Sequence, residues 1–256
     1  MMMLTVLACV AMADPREGHL ILAGGGPLDP VVYERFISLA GGPHARILVV
    51  PTAAARPDKI DGTGPFQSLG ADNLVVLHAQ NREQASSVAF VHQIEQADGV
   101  WFTGGRQWRL MDAYLGTDAH RAFSDLLARG GVIGGTSAGA SAQASLLVRG
   151  DTKNNQILLG DHQQGFGWLE GAAVDQHLLV RDRLDDMLSV LQERPDVLGI
   201  GLDEGVALVV HRRRAAVIGR SVAVFYDPNT PEPYLTLSPG DTYDLNTRSV
   251  ERAPQP

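Results

Sequence analysis

The chain has 256 residues, of which 45% are hydrophobic and 20% charged, and it carries 28 glycines; this balance describes a folded protein able to bury one sizeable core. A formal net charge of -8 argues against nucleic acid or an anionic membrane as partner, because both need a clustered positive surface. The one basic run, Arg212-Arg213-Arg214, lies between two apolar β-branched stretches and reads as a solvated hairpin turn.

Residues 1–13 are apolar and end in Ala11-Met12-Ala13, which has the A-x-A pattern of a signal-peptidase site before Asp14. The stretch is too short to span a bilayer. No Lys or Arg precedes it, so a first β-strand or a misplaced start codon accounts for it equally well. Export to the periplasm or medium follows from the first reading and a cytoplasmic chain from the others. The only cysteine, Cys9, falls inside this stretch, so a processed chain would have none, which suits an oxidising compartment. Residues 14–256 are expected to form a single domain, since no repeat, low-complexity tract or linker divides them.

From residue 19 onward, short β-rich runs at 19–23, 46–51, 73–78, 99–103 and 132–135 alternate with stretches of helical period at 31–40, 82–95, 107–115 and 118–128. That alternation predicts an α/β fold with a mostly parallel sheet flanked by helices. Several strands run directly into turn-forming sequence, as in Gly24-Gly25-Gly26-Pro27, Pro51-Thr52-Ala53 and Thr103-Gly104-Gly105. Ligands of open α/β sheets bind outside the carboxyl ends of the strands, so these loops should rim the site. After residue 196, runs at 197–202, 206–211, 215–218 and 222–226 are joined by turns too short for helices, which predicts a C-terminal antiparallel extension. The proline-bearing tail from residue 229 then wraps or frays.

Gly135-Thr136-Ser137-Ala138-Gly139 fits the G-x-S-x-G pattern, with strand-like sequence before it and a helix predicted over 140–145. Small residues let the chain reverse from strand to helix and push the Ser137 hydroxyl clear of the backbone. The amide of Ala138 would face a developing oxyanion, and Gly105 is the candidate second donor. The same glycines could instead serve only close strand–helix packing. A serine needs a base, and His177 is the best placed of the eight histidines because it follows the strand-like run at 171–174. No H-x-H, H-E-x-x-H or Cys-His grouping is present, so neither a metal nor a cofactor is expected.

The chain resembles the cyanophycinase family of serine peptidases, which includes the aspartyl dipeptidases. The matching segments are Leu22-Ala23-Gly24-Gly25-Gly26, Phe102-Thr103-Gly104-Gly105 with Gln107, Gly134-Gly135-Thr136-Ser137-Ala138-Gly139-Ala140, Val174-Asp175-Gln176-His177 with Arg181 and Arg183, and Gly199-Ile200-Gly201-Leu202-Asp203-Glu204. The resemblance implies a flavodoxin-like fold similar to class I glutamine amidotransferases, with Ser137 as nucleophile, His177 as base, and Gln107, Asp175, Gln176, Arg181 and Arg183 lining the substrate site. It implies a peptide substrate containing aspartyl groups, whose carboxylates Arg181 and Arg183 could grip bidentately. Those arginines could equally form ion pairs with Asp182, Asp185 or Asp186.

Three departures bear on the transfer. Arg106 replaces an acidic residue of the family, Asp185-Asp186 stands where a third arginine is usual, and the glutamate expected after the nucleophile helix is absent. The charge changes imply an altered substrate. Asp151 is the preferred substitute for the missing acid, with Asn154, Asn155 and Asp161 behind it. The expected function is hydrolysis of an aspartyl peptide or isopeptide bond. An aspartyl-peptide binding protein without activity and an α/β-hydrolase-type esterase are the alternatives, and a homodimer is left open.

Overall fold

A computed structural model describes residues 17–254, so the stretch at 1–13 and Cys9 lie outside the described residues. The first half follows the expected alternation: β1 (His19–Ala23), α1 (Pro30–Ala40), β2 (Ile47–Val50), α2 (Gly64–Gln67), β3 (Leu74–Val76), α3 (Arg82–Ala85), α4 (Val88–Glu95), β4 (Gly99–Phe102), α5 (Gln107–Tyr114), α6 (Asp118–Ala128) and β5 (Val132–Thr136). The helix predicted over 82–95 is two helices. Ser87 leaves helical geometry and its hydroxyl caps α4 by accepting from the Phe90 amide, a local bond that competes with helix continuation.

The second half comprises α7 (Ala138–Ser141), β6 (Ala144–Leu146), β7 (Leu169–Gln176), α8 (Asp186–Glu193), β8 (Leu198–Leu202), β9 (Val206–His211), β10 (Arg214–Gly219), β11 (Ala223–Tyr226), β12 (Leu235–Leu237), β13 (Thr242–Asp244) and β14 (Ser249–Glu251). The helix predicted over 140–145 ends after one turn. Leu146, Leu147 and Val148 are buried in the core, and their burial draws the chain into β6 against its weak helical preference.

Nine strands form one sheet in the order β14-β13-β10-β9-β1-β5-β4-β2-β3, parallel from β1 to β3. β9 and β10 continue it in antiparallel sense. A second sheet has the order β12-β11-β8-β7-β6, with β6, β7 and β8 parallel and β11 antiparallel to β8. The predicted antiparallel extension is therefore shared between two sheets, and the tail closes their edges instead of fraying. Equal-length turns join strands within a sheet and between sheets, so the sequence pattern does not distinguish them.

The main sheet is buried on both faces, which explains its near-continuous apolar strands. Phe36, Phe66 and Trp101 pack edge to face on one side. Such pairs contribute roughly 0.5–1.5 kcal/mol each beyond the area they bury. No helix among the described residues is long and apolar enough to cross a membrane. The carboxyl ends of β1, β4, β5 and β7 converge on one rim, where the glycine loops and Ser137 meet.

Candidate active site

Thr136 ends β5 and the chain turns through Ser137 at φ 54° and ψ −113°, a left-handed conformation that costs of order 1–3 kcal/mol for a residue with a side chain. Close packing holds it there. The Ser137 amide donates to the Ala23 carbonyl at 2.9 Å. A Cβ on Gly135 would lie 2.5 Å from the Gly139 carbonyl, and one on Gly139 would lie 2.3 Å from the Phe102 carbonyl oxygen. Strand and helix thus touch through backbone, and the hydroxyl projects into the cleft.

His177 follows β7 at φ 56°, tied to β1 by its amide, which donates to Gly24 at 2.9 Å. Its Nε2 stands 2.9 Å from Ser137 Oγ, and its Nδ1 stands 2.5 Å from Glu204 Oε1. A carboxylate at Nδ1 fixes the tautomer in which Nε2 accepts the serine proton. Burial lowers the His177 pKa below its usual 6.5; the Glu204 hydrogen bond opposes this and the Arg181 charge adds to it. The imidazole is therefore neutral, as a base must be, at neutral pH.

Glu204, not Asp151, is the carboxylate that meets His177. Asp151 Oδ1 instead accepts the amides of Lys153 and Asn154 at 2.9 and 2.8 Å, closing a turn of its own loop, and forms no hydrogen bond with His177. The other candidates are occupied in the same way: Asn154 accepts the Gln156 amide, and Asp161 holds Thr152 and His162. Glu204 sits just past β8, which pairs with β7 in parallel, so its strand end lies beside that of His177. A carboxylate at the carboxyl end of a predicted strand was the available sequence signal.

The glycine loop after β1 packs against this pair. A Cβ on Gly25 would fall 2.3 Å from His177 Cε1, and one on Gly26 would fall 2.1 Å from Glu204 Oε2. On the opposite side, Gly104 faces Ser137, and Gly105 adopts φ 149° with no room for a Cβ beside the Ala53 carbonyl. The amides of Gly105 and Ala138 donate to no protein acceptor among the described residues. Both remain available to a ligand oxygen.

A cleft of about 380 Å³ opens over Ser137 and His177, with Gln107, Asn155, Gln176 and Arg181 on its walls. Gln107 is anchored by its Nε2, which donates to the Val148 carbonyl at 2.8 Å. Gln176 Oε1 lies 3.5 Å from Ser137 Oγ. Asp175 and Arg183, expected from the resemblance to line the substrate site, lie beneath it and are 1% and 2% exposed. Arg149 holds both oxygens of Asp175 at 2.8 Å and reaches Asp186 at 2.5 Å, while Arg183 donates to the Gln176 carbonyl at 2.9 Å. This chain of charges is a support for the site, and Arg149 was missed because nothing local marks it. Among the described residues no group of three His, Cys, Asp or Glu side chains could hold a metal.

The model of Peptidase family S51 matches residues 20–218. The chain belongs to this family. Cyanophycinase of Nostoc sp. is 30% identical over 90% of this chain and 87% of its own length, and cyanophycinase of Geminocystis herdmanii is 31% identical over 81% and 80%. The crystal structure of a peptidase from an acI-B1 Actinobacterium superposes with a TM-score of 0.71 at 23% identity, covering 89% of this chain and 96% of that one. The family resemblance read from the motifs and the α/β architecture are thus both borne out. This S51 protein is a serine peptidase.

Proposed function

We propose that this peptidase hydrolyses a peptide or isopeptide bond at an aspartyl residue through a Ser137-His177-Glu204 acyl-enzyme mechanism. His177 Nε2 takes the Ser137 proton as Oγ attacks the carbonyl carbon. The amides of Gly105 and Ala138 receive the oxyanion, an interaction worth about 2.7–4 kcal/mol per donor in comparable sites. His177 then protonates the leaving amine, the C–N bond breaks, and water repeats the sequence on the acyl ester with His177 again as base. Glu204 stabilises the imidazolium in both halves. Arg181 binds the substrate carboxylate, and Gln107 and Gln176 pair with its amides.

The 2.9 Å contact between Ser137 and His177, backed by Glu204, carries this reading. It favours hydrolysis over mere binding, because a binding site has no use for a strained serine aligned on a buried base. The chain order Ser, His, Glu also differs from the Ser, acid, His order of α/β-hydrolase esterases. The aspartyl substrate class draws on the relatives named cyanophycinase. Incubation with α-aspartyl and β-aspartyl peptides, read by mass spectrometry, tests it: the wild type releases products and Ser137→Ala does not. Equal turnover by the two proteins, or failure of a fluorophosphonate to label Ser137, would sink the mechanism.

A further inference from the structure

The charge inventory around the cleft is lopsided. Beneath it, Arg149 and Arg183 face Asp175 and Asp186 in a connected set, two cations against two carboxylates. Asp175 is sealed from solvent, and both its oxygens are held by Arg149. Asp186, which the sequence suggested would invert the pocket charge, is held by Arg149 through one oxygen. Asp175 is thus closed to a ligand cation, and Asp186, whose side chain is 39% exposed, stands outside the cleft lining. Asp182 and Asp185 are exposed and stand outside the lining, and Glu204 is engaged with His177. Apart from His177, the cleft wall carries, among the described residues, one ionisable side chain, Arg181, and no carboxylate.

The remaining polar groups are neutral amides. Gln107 has its nitrogen fixed on Val148, so its oxygen is the end left for a ligand. Asn155 is held in the wall through its own carbonyl, which accepts from Arg149 at 3.3 Å, leaving its side chain for the cleft. Next to Arg181, Leu179 and Val180 are 48% and 64% exposed. Their amides donate to Asp203 Oδ1 at 2.9 and 3.2 Å, which fixes the backbone between His177 and Arg181, and neither side chain lines the cleft.

We infer that this peptidase selects aspartyl peptides or isopeptides whose leaving amine bears a neutral or apolar side group, and discriminates against one bearing a guanidinium. A substrate guanidinium entering this cleft loses water and, with Arg181 taken up by the aspartyl carboxylate, meets no carboxylate of the wall to replace it. A neutral or apolar side group incurs no such desolvation cost. The inference rests on the aspartyl-peptidase reading above and adds the side on which the bond's partner is chosen.

A competition assay tests it with four substrates: leucyl and arginyl partners, each in α-aspartyl and β-aspartyl linkage, with products quantified by mass spectrometry. The wild type is expected to show kcat/KM at least tenfold higher for the leucyl member of whichever linkage it cleaves. Asn155→Asp, which adds a carboxylate to the wall, is expected to narrow that ratio at least threefold by raising turnover of the arginyl member, and a thermal unfolding midpoint matching the wild type reports that it is folded. Arginyl cleavage as fast as leucyl in the wild type, or an unchanged ratio in Asn155→Asp, overturns the inference alone. Cleavage of none of the four overturns the aspartyl reading and the inference together.

Discussion

The two walls of the cleft are built by different physics. One wall consists of the loops after β1, β4 and β5, where glycine lets backbone approach His177, Glu204 and Ala53 more closely than any side chain would permit. It is uncharged and works through geometry and free amides. The other wall, from β7 onward, rests on Arg149, Arg183, Asp175 and Asp186, drawn from positions up to 37 residues apart and paired with one another, the first three of them buried. The comparison teaches that a charged motif can be a support while an uncharged one does the binding. Counting arginines near His177 overestimates how many line the cleft: Arg181 reaches it and Arg183 does not.

Substitutions on either wall should differ in effect, beginning with the most damaging. Ser137→Ala is expected to lower kcat about a millionfold, by analogy with the loss of a serine nucleophile elsewhere; steady-state hydrolysis of the best aspartyl peptide measures it. Glu204→Gln is expected to lower kcat by roughly 10³–10⁴, as removal of the orienting carboxylate does in serine proteases. Asp151→Asn serves as its control and should stay within about threefold in kcat, because Asp151 only closes its own turn. If Asp151→Asn proved the more damaging, Glu204 would lose its assigned place.

Arg149→Met tests the charged wall by thermal or urea unfolding. It strands Asp175 without its bidentate partner, and leaving a buried charge uncompensated typically destabilises by about 3–5 kcal/mol. Gly25→Ala tests the uncharged wall. The added methyl would overlap His177, and displacement of a catalytic group by an ångström lowers kcat by roughly 10². Stability should move more in the first variant and turnover more in the second. The reverse pattern would mean that the two walls have been assigned the wrong way round.

The smallest effect concerns pH. His177 must be neutral to accept the serine proton, and burial places its pKa below 6.5, so the acid limb of kcat/KM should fall below pH 6.5. Arg181 contributes to that lowering, and its removal raises the histidine pKa. Arg181→Gln should therefore move the acid limb to higher pH, in addition to raising KM. An acid limb that stays in place or moves to lower pH would mean that the Arg181 charge does not act on His177.

Much of this protein was legible in the sequence because it depends on neighbours along the chain. Alternating β and helical periods gave the parallel sheet, glycine and serine spacing gave the elbow at Ser137, and position at a strand end singled out His177. Where the chain is too uniform, the reading failed: the alanine-rich stretch after Ser141 has weak preferences that the burial of Leu146 and Val148 overrides. The division of the late strands between two sheets was also hidden, because a short turn looks the same whether it joins strands of one sheet or of two.

The family and the enzyme class were legible in the sequence alone, as was the choice of Ser137 and His177 as candidates, since local patterning and motif order encode them. Tertiary structure decided that Glu204 faces His177, that Asp151 does not, and that Arg149 pairs with Asp175 and Asp186. Electrostatic partners are chosen by distance in space, and a sequence separation of 27 between His177 and Glu204 carries no record of a 2.5 Å contact.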